Sequence, residues 1–215
     1  MADNNFYFRD YVTGLKQALD LVKQSQIEDF FSVFESYIGS KSNIYLLGNG
    51  GSQANAHHIS GDYMKTFSLA GLKFKISCLA DNVCHLTAAS NDLSYDDAYS
   101  ILIDNIIDSD DLLIYLSGSG NSLNLVKCAR KAKLRKIKQA AITGFNGGAL
   151  NNLVDYPINI KFEDMEICED IQLSIFHYFK QRLIQKYSEY FEIVEMPKYQ
   201  KRTIEDLITW FILVN

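Results

Sequence analysis

The chain has 215 residues, with 47% hydrophobic and 22% charged positions and a formal net charge of -5. That length suits one α/β domain and would cramp two. A weakly acidic balance gives no electrostatic basis for binding nucleic acid, and no apolar run nears the roughly 18 residues of a membrane span. The polar start, Met1-Ala2-Asp3-Asn4-Asn5, lacks a signal-peptide layout. Cys78, Cys84, Cys128 and Cys168 show no CxxC pairing and fit a reducing cytoplasm.

In chain order, Tyr11–Lys23 puts Val12, Leu15, Ala18, Leu19 and Val22 on one stripe and predicts an amphipathic helix. Ile27–Ile38 repeats the pattern with Phe30, Phe31 and Phe34. Asn43–Leu47 is a short apolar run ended by Gly48, the mark of a buried strand, and a helix follows from about Ala54 to Phe67. Lys75–Leu79 is the next expected strand, and residues 86–107 read as helical with a break near Asn91. Leu112–Leu116, Gln139–Thr143 and Tyr156–Ile160 read as three further strands, with a helix over Ser122–Lys133 and a long one over Glu169–Lys186. The basic run Lys127–Lys138 has helical spacing and reads as a solvated face. This alternation predicts an α/β fold: an open parallel sheet with helices on both faces, a three-layer αβα sandwich. Ligands of such sheets sit beyond the carboxyl ends of the strands. One domain over residues 1–215 is expected, with N-terminal helices (1–40), a core (41–186) and a C-terminal extension (187–215) holding one more helix, Thr203–Leu213.

Two strand-to-helix loops share a character: Gly48-Asn49-Gly50-Gly51-Ser52 and Ser117-Gly118-Ser119-Gly120-Asn121-Ser122. Glycines let the backbone approach a ligand, hydroxyls donate, and free N–H groups at the next helix start favour an anion. The pair suits a phosphate ester, although each loop alone is equally a tight connection. Neither has Walker or dinucleotide spacing. His58 and Asp62 lie one helical turn apart, so they share a metal, exchange a proton or form an ordinary surface pair. Glu169 and His177 lie two turns apart on the last helix. Glu166 and Asp170 near that helix start also read as groups favouring its dipole.

Taken together, these pieces resemble the phosphoheptose isomerases, a branch of the SIS-domain proteins. The resemblance spans about Tyr11 to Lys186. It is carried by Gly48–Ser52 with Ala54 and His58, Ser90-Asn91-Asp92 with Tyr95, Ser117–Ser122, Thr143-Gly144 with Gly147-Gly148, and Glu169-Asp170 with His177. It implies interconversion of sedoheptulose 7-phosphate and a heptose 7-phosphate for surface polysaccharide. Asn49, Gly50, Gly51 and Ser52 would contact substrate; Ser117, Gly118, Ser119 and Ser122 would hold the phosphate; Asp92 would reach sugar hydroxyls. His58, Asp62, Glu169 and His177 fall where the family places zinc ligands and acid/base groups, with Asp62, Glu169 and His177 as the catalytic set. The resemblance further implies a homotetramer with sites between subunits, an assembly that the phenylalanines of the second helix also suggest as surplus apolar surface. This chain departs from the pattern in three places: Asp62 for glutamate, Glu169 for glutamine and Gly118 for threonine. Those departures keep two alternatives open, an isomerase of another sugar phosphate and a non-catalytic SIS module that senses a sugar phosphate or binds a protein.

Overall fold

The computed structural model describes residues 5–191. Its centre is a parallel sheet of five strands, β1 (Ile44–Leu47), β2 (Ile76–Cys78), β3 (Leu112–Ser117), β4 (Lys138–Thr143) and β5 (Tyr156–Asn159), in the order β2-β1-β3-β4-β5. All five expected strands are present. The register sets Ile44 beside Leu112 and Leu113 beside Gln139. Every residue of β3 is buried, as a strand covered on both faces must be. Strand order reverses between β1 and β3, and the loops leaving those two strands open a crevice at that point.

The helices among the described residues are α1 (Phe8–Leu21), α2 (Gln24–Glu35), α3 (Gly50–Leu69), α4 (Val83–Asp92), α5 (Leu123–Leu134), α6 (Leu150–Leu153), α7 (Met165–Lys186) and α8 (Ser188–Phe191). They flank the sheet in the expected three-layer arrangement. Two boundaries move towards the crevice. α3 begins at Gly50 and not near Ala54, with Gly50 at φ +53°, a conformation that disfavours side chains. α7 begins at Met165 because Asp164 caps it, accepting from Ile167 N at 2.9 Å. A carboxylate at the N-cap satisfies one of the free N–H groups. The stretch expected to be mostly helical over 86–107 instead has α4 followed by two short 3₁₀ turns, Tyr95–Asp97 and Ser100–Leu102. Ser94 Oγ bonds Asp97 at 2.7 Å there, a local bond that competes with helix continuation.

Phe30, Phe31 and Phe34 are buried within the chain, which corrects the reading of them as interface surface. Phe30 meets Phe176 and Phe179 with ring centroids 6.0 and 5.6 Å apart, and Phe34 meets Tyr63 and Phe74 at 5.4 and 5.2 Å. This edge-to-face cluster ties α2 to α3 and α7. α7 and α3 run side by side, which fixes their facing side chains. Phe191 of α8 packs on Phe67, so the extension begins on the core. The expected helix Thr203–Leu213 lies outside the described residues.

Candidate active site

Both N-termini at the crevice carry caps whose side chains do not bond the helix. Asn49 leads α3 and Ser122 leads α5, each without a side-chain cap bond. In α5 Leu125 N donates to Asn124 Oδ1 at 2.9 Å, and the first N–H groups ahead of it, with those that open α3, are left for a ligand, which favours an anion. The Asn49 side chain is engaged elsewhere. Its amide exchanges bonds with Asn124 at 2.8 and 2.9 Å, and its Oδ1 accepts from Tyr95 Oη at 2.7 Å. Tyr99 Oη donates to Gly48 O at 3.1 Å. The glycine loop is thereby pinned from two sides.

Gly120 N donates to Ser117 Oγ at 3.1 Å, and Asn121 N donates to Ser119 Oγ at 3.2 Å. A hydroxyl that accepts from the backbone keeps its own proton for an outside acceptor. Gly120 and Gly148 pack backbone to backbone at positive φ, so a Cβ at Gly148 would lie 2.5 Å from Ser119 O. A cleft of about 240 Å³ results, lined by Asn49, Gly50, Gly51, Ser52, Ser117, Gly118, Ser119, Ser122, Met165 and Glu169. All the expected substrate-contact residues except Asp92 thus share one cleft. Asp92 sits exposed at the end of α4, accepting from Asn91 Nδ2 at 2.9 Å.

Two departures from the resemblance have local physical explanations. A Cβ on Gly118 would lie 2.1 Å from Met165 Sδ, so the methionine fills the room that a threonine would take. Glu169 lays its carboxylate over Gly51, where a Cβ would be 2.0 Å from Oε2, and Ser52 Oγ donates to Oε1 at 3.3 Å. Glu169 is the carboxylate among the lining residues.

Two turns further along the same helices, His58 and His177 face each other, Nε2 to Nε2 at 3.2 Å, with ring centroids 5.3 Å apart. One ring must donate and the other accept unless an ion lies between them. Asp62 completes a group of three whose ligand atoms all lie within 4.8 Å of one another. Glu169 belongs to the cleft and not to this group. Zinc, implied by the resemblance, fits the donor set of two imidazoles and a carboxylate.

Lys180 also reaches Asp62, with its ammonium on Oδ2, and Lys65 lies 3.7 Å from Oδ1. Burial pushes the Asp62 carboxyl up, but the Lys180 bond and charge, with smaller help from Lys65 and His58, hold it below the usual range. Burial first, then the neighbouring charges of His58 and Lys180, push the His177 imidazole below its ordinary value against the pull of Asp62. The ring is held neutral near pH 7. Lys180, Asn124 and Met165 were invisible as site residues in the sequence. Lys180 had one signal, its position three residues after His177 on a predicted helix, which returns it to the same face.

Fold and cleft together define an open α/β protein with a phosphate-type crevice at its switch point. The family model described as SIS domain matches residues 7–144. Phosphoheptose isomerase 2 of Campylobacter jejuni is 31% identical over 142 residues, 66% of this chain and 68% of that protein. The phosphoheptose isomerase of Crocosphaera subtropica is 26% identical over 173 residues, covering 80% and 88%. A solved phosphoheptose isomerase from Neisseria gonorrhoeae superposes with a TM-score of 0.72 at 21% identity, over 80% of this chain and 91% of that one, and shows the shared fold. The chain belongs to the SIS domain family and, within it, to the phosphoheptose isomerases. Its class of activity is therefore sugar-phosphate isomerisation.

Proposed function

We propose that the protein interconverts sedoheptulose 7-phosphate and D-glycero-D-manno-heptose 7-phosphate, supplying heptose for surface polysaccharide. One observation carries this reading: a carboxylate, Glu169, shares a cleft with two free helix N-termini and a serine loop. The helix ends and the hydroxyls of Ser117, Ser119 and Ser122 bind the phosphate and anchor the carbon chain against Glu169. Anchoring removes much of the entropic cost of alignment. The Glu169 carboxylate takes the proton from the carbon beside the carbonyl and returns it to the former carbonyl carbon. In the same exchange the neighbouring hydroxyl gives its proton to the carbonyl oxygen. Asp62 is a poor base, because Lys180 already holds it as the anion.

His58, His177 and Asp62 would hold zinc, which when bound supplies polarisation of a carbonyl oxygen. His177 would then serve as a ligand and not as a proton carrier. The proposal extends to a homotetramer with sites between subunits; an apolar groove between α1, α2 and α7, lined by Leu19, Val22, Ile27, Ile171, Ile175 and Tyr178 with Gln24 and Ser174, offers surface for a subunit contact. A second reading, turnover of another sugar phosphate, is favoured by Met165 over Gly118, which puts a thioether into the phosphate loop. The test is turnover of sedoheptulose 7-phosphate followed by NMR, with added zinc and with chelator. Wild-type conversion that falls about 10²–10⁴-fold in E169Q is expected. No conversion under either condition, with turnover of another ketose phosphate, would move the assignment to the second reading.

A further inference from the structure

His57 precedes His58 in α3 but belongs to a different neighbourhood. Its Nδ1 lies 2.8 Å from Asp81 Oδ1 in the loop after β2, and its Nε2 lies 3.3 Å from the Gln53 amide nitrogen. Cys78, the last residue of β2, is 3% exposed. One ligand atom from each of His57, Cys78 and Asp81 lies within 4.8 Å of the others. An ion touching all three at about 2.0–2.3 Å needs only side-chain adjustment.

The three donors come from two segments, His57 from α3 and Cys78 with Asp81 from the end of β2 and its turn, where Asp81 N donates to Cys78 O at 3.1 Å. Cys78 is registered against Leu46, and Leu79 N donates to Leu46 O at 2.9 Å, so the strand end cannot wander. Turning the Gln53 amide end for end would present its carbonyl to His57 Nε2–H, which is the tautomer that a metal on Nδ1 requires. A surface ion pair accounts for His57 and Asp81, and Cys78 also packs in the apolar core; what the cluster adds is that its sulfur comes within reach of one ion shared with both.

We propose that His57, Cys78 and Asp81 form a second metal site, separate from the His58–Asp62–His177 group, for a borderline-soft divalent ion such as zinc. Sulfur and imidazole together select against magnesium and calcium. The half-open side chains of His57 and Asp81, 40% and 52% exposed, leave a fourth position to water.

The test is titration of the full chain with cobalt(II), watched by absorption. A thiolate-to-cobalt charge-transfer band separates this site from the other group, which contains no sulfur, and C78S against C84S assigns the thiolate, while d–d bands report both groups. The band is expected in wild type and in H58A and H177A, absent in C78S, and reached in D81N only at about tenfold or more higher cobalt. D81N replaces a half-exposed side chain and guards against misfolding of C78S. The proposal is overturned if wild type shows d–d bands without the charge-transfer band, if it binds no cobalt at all, or if the band survives in C78S and vanishes in C84S. Loss of d–d intensity in H58A with the charge-transfer band intact would concern the first metal group only.

Discussion

Lys180 of α7 sets its ammonium on the carboxylate of Asp62 of α3, one turn past the facing rings of His58 and His177. The lysine and any ion on the two imidazoles compete for one carboxylate. Removing the lysine therefore has two effects of opposite sign. K180M is expected to lower stability by about 1–3 kcal/mol, since it leaves a part-buried carboxylate with only the longer, exposed Lys65 pair. It is also expected to tighten zinc binding. Thermal melts and a competitive zinc titration check both, and unchanged zinc affinity would show that Lys180 and the ion do not contend.

Acid should destabilise the protein in two stages. The His177 ring has its folded pKa below the ordinary value of about 6.5. Its contribution is present above that pH and is lost as pH falls through the folded value, because the unfolded chain takes the proton more readily. The Asp62 carboxyl is also depressed, so its contribution is present above about pH 3.9 and is lost as pH falls through its lower folded value. Melting temperature measured from pH 8 to 3 should show a shoulder that H177Q removes and a lower limb that D62N flattens.

Gly51 leaves the space in which the Glu169 carboxylate rests. G51A is expected to displace that carboxylate while the helix persists, because alanine favours helix over glycine. Turnover should fall by about 10²-fold with circular dichroism unchanged. Full activity in G51A would remove Glu169 as the base.

Ser117 and Ser119 each accept from the backbone and retain a proton for the phosphate. S117A and S119A should each raise the KM for the sugar phosphate about tenfold, the worth of one hydrogen bond to a charged group at about 1.4 kcal/mol. Binding of inorganic phosphate as a competitive inhibitor should weaken in parallel. An unchanged inhibition constant would place the phosphate elsewhere.

Much of this protein is written in local pattern. The apolar runs from Asn43, Lys75, Leu112, Gln139 and Tyr156 each mark a strand, and the βαβ rule makes their sheet parallel, because burial on both faces demands continuous apolar residues. The glycine and serine loops are legible for the same reason: a backbone that must turn and expose its N–H groups needs those residue types. His58 and Asp62 are paired by helical spacing alone. Other relations exist only once elements pack. That Phe30 and Phe34 bury against α7 and α3, that Glu169 rests on Gly51, that Lys180 reaches Asp62, and that Cys78 comes beside His57 all depend on contacts between residues far apart in the chain. Periodicity tells which face of a helix is apolar but carries no information about what will cover it. The distances that turn a list of histidines and carboxylates into a cleft, an ion group and a second cluster were decided by tertiary packing.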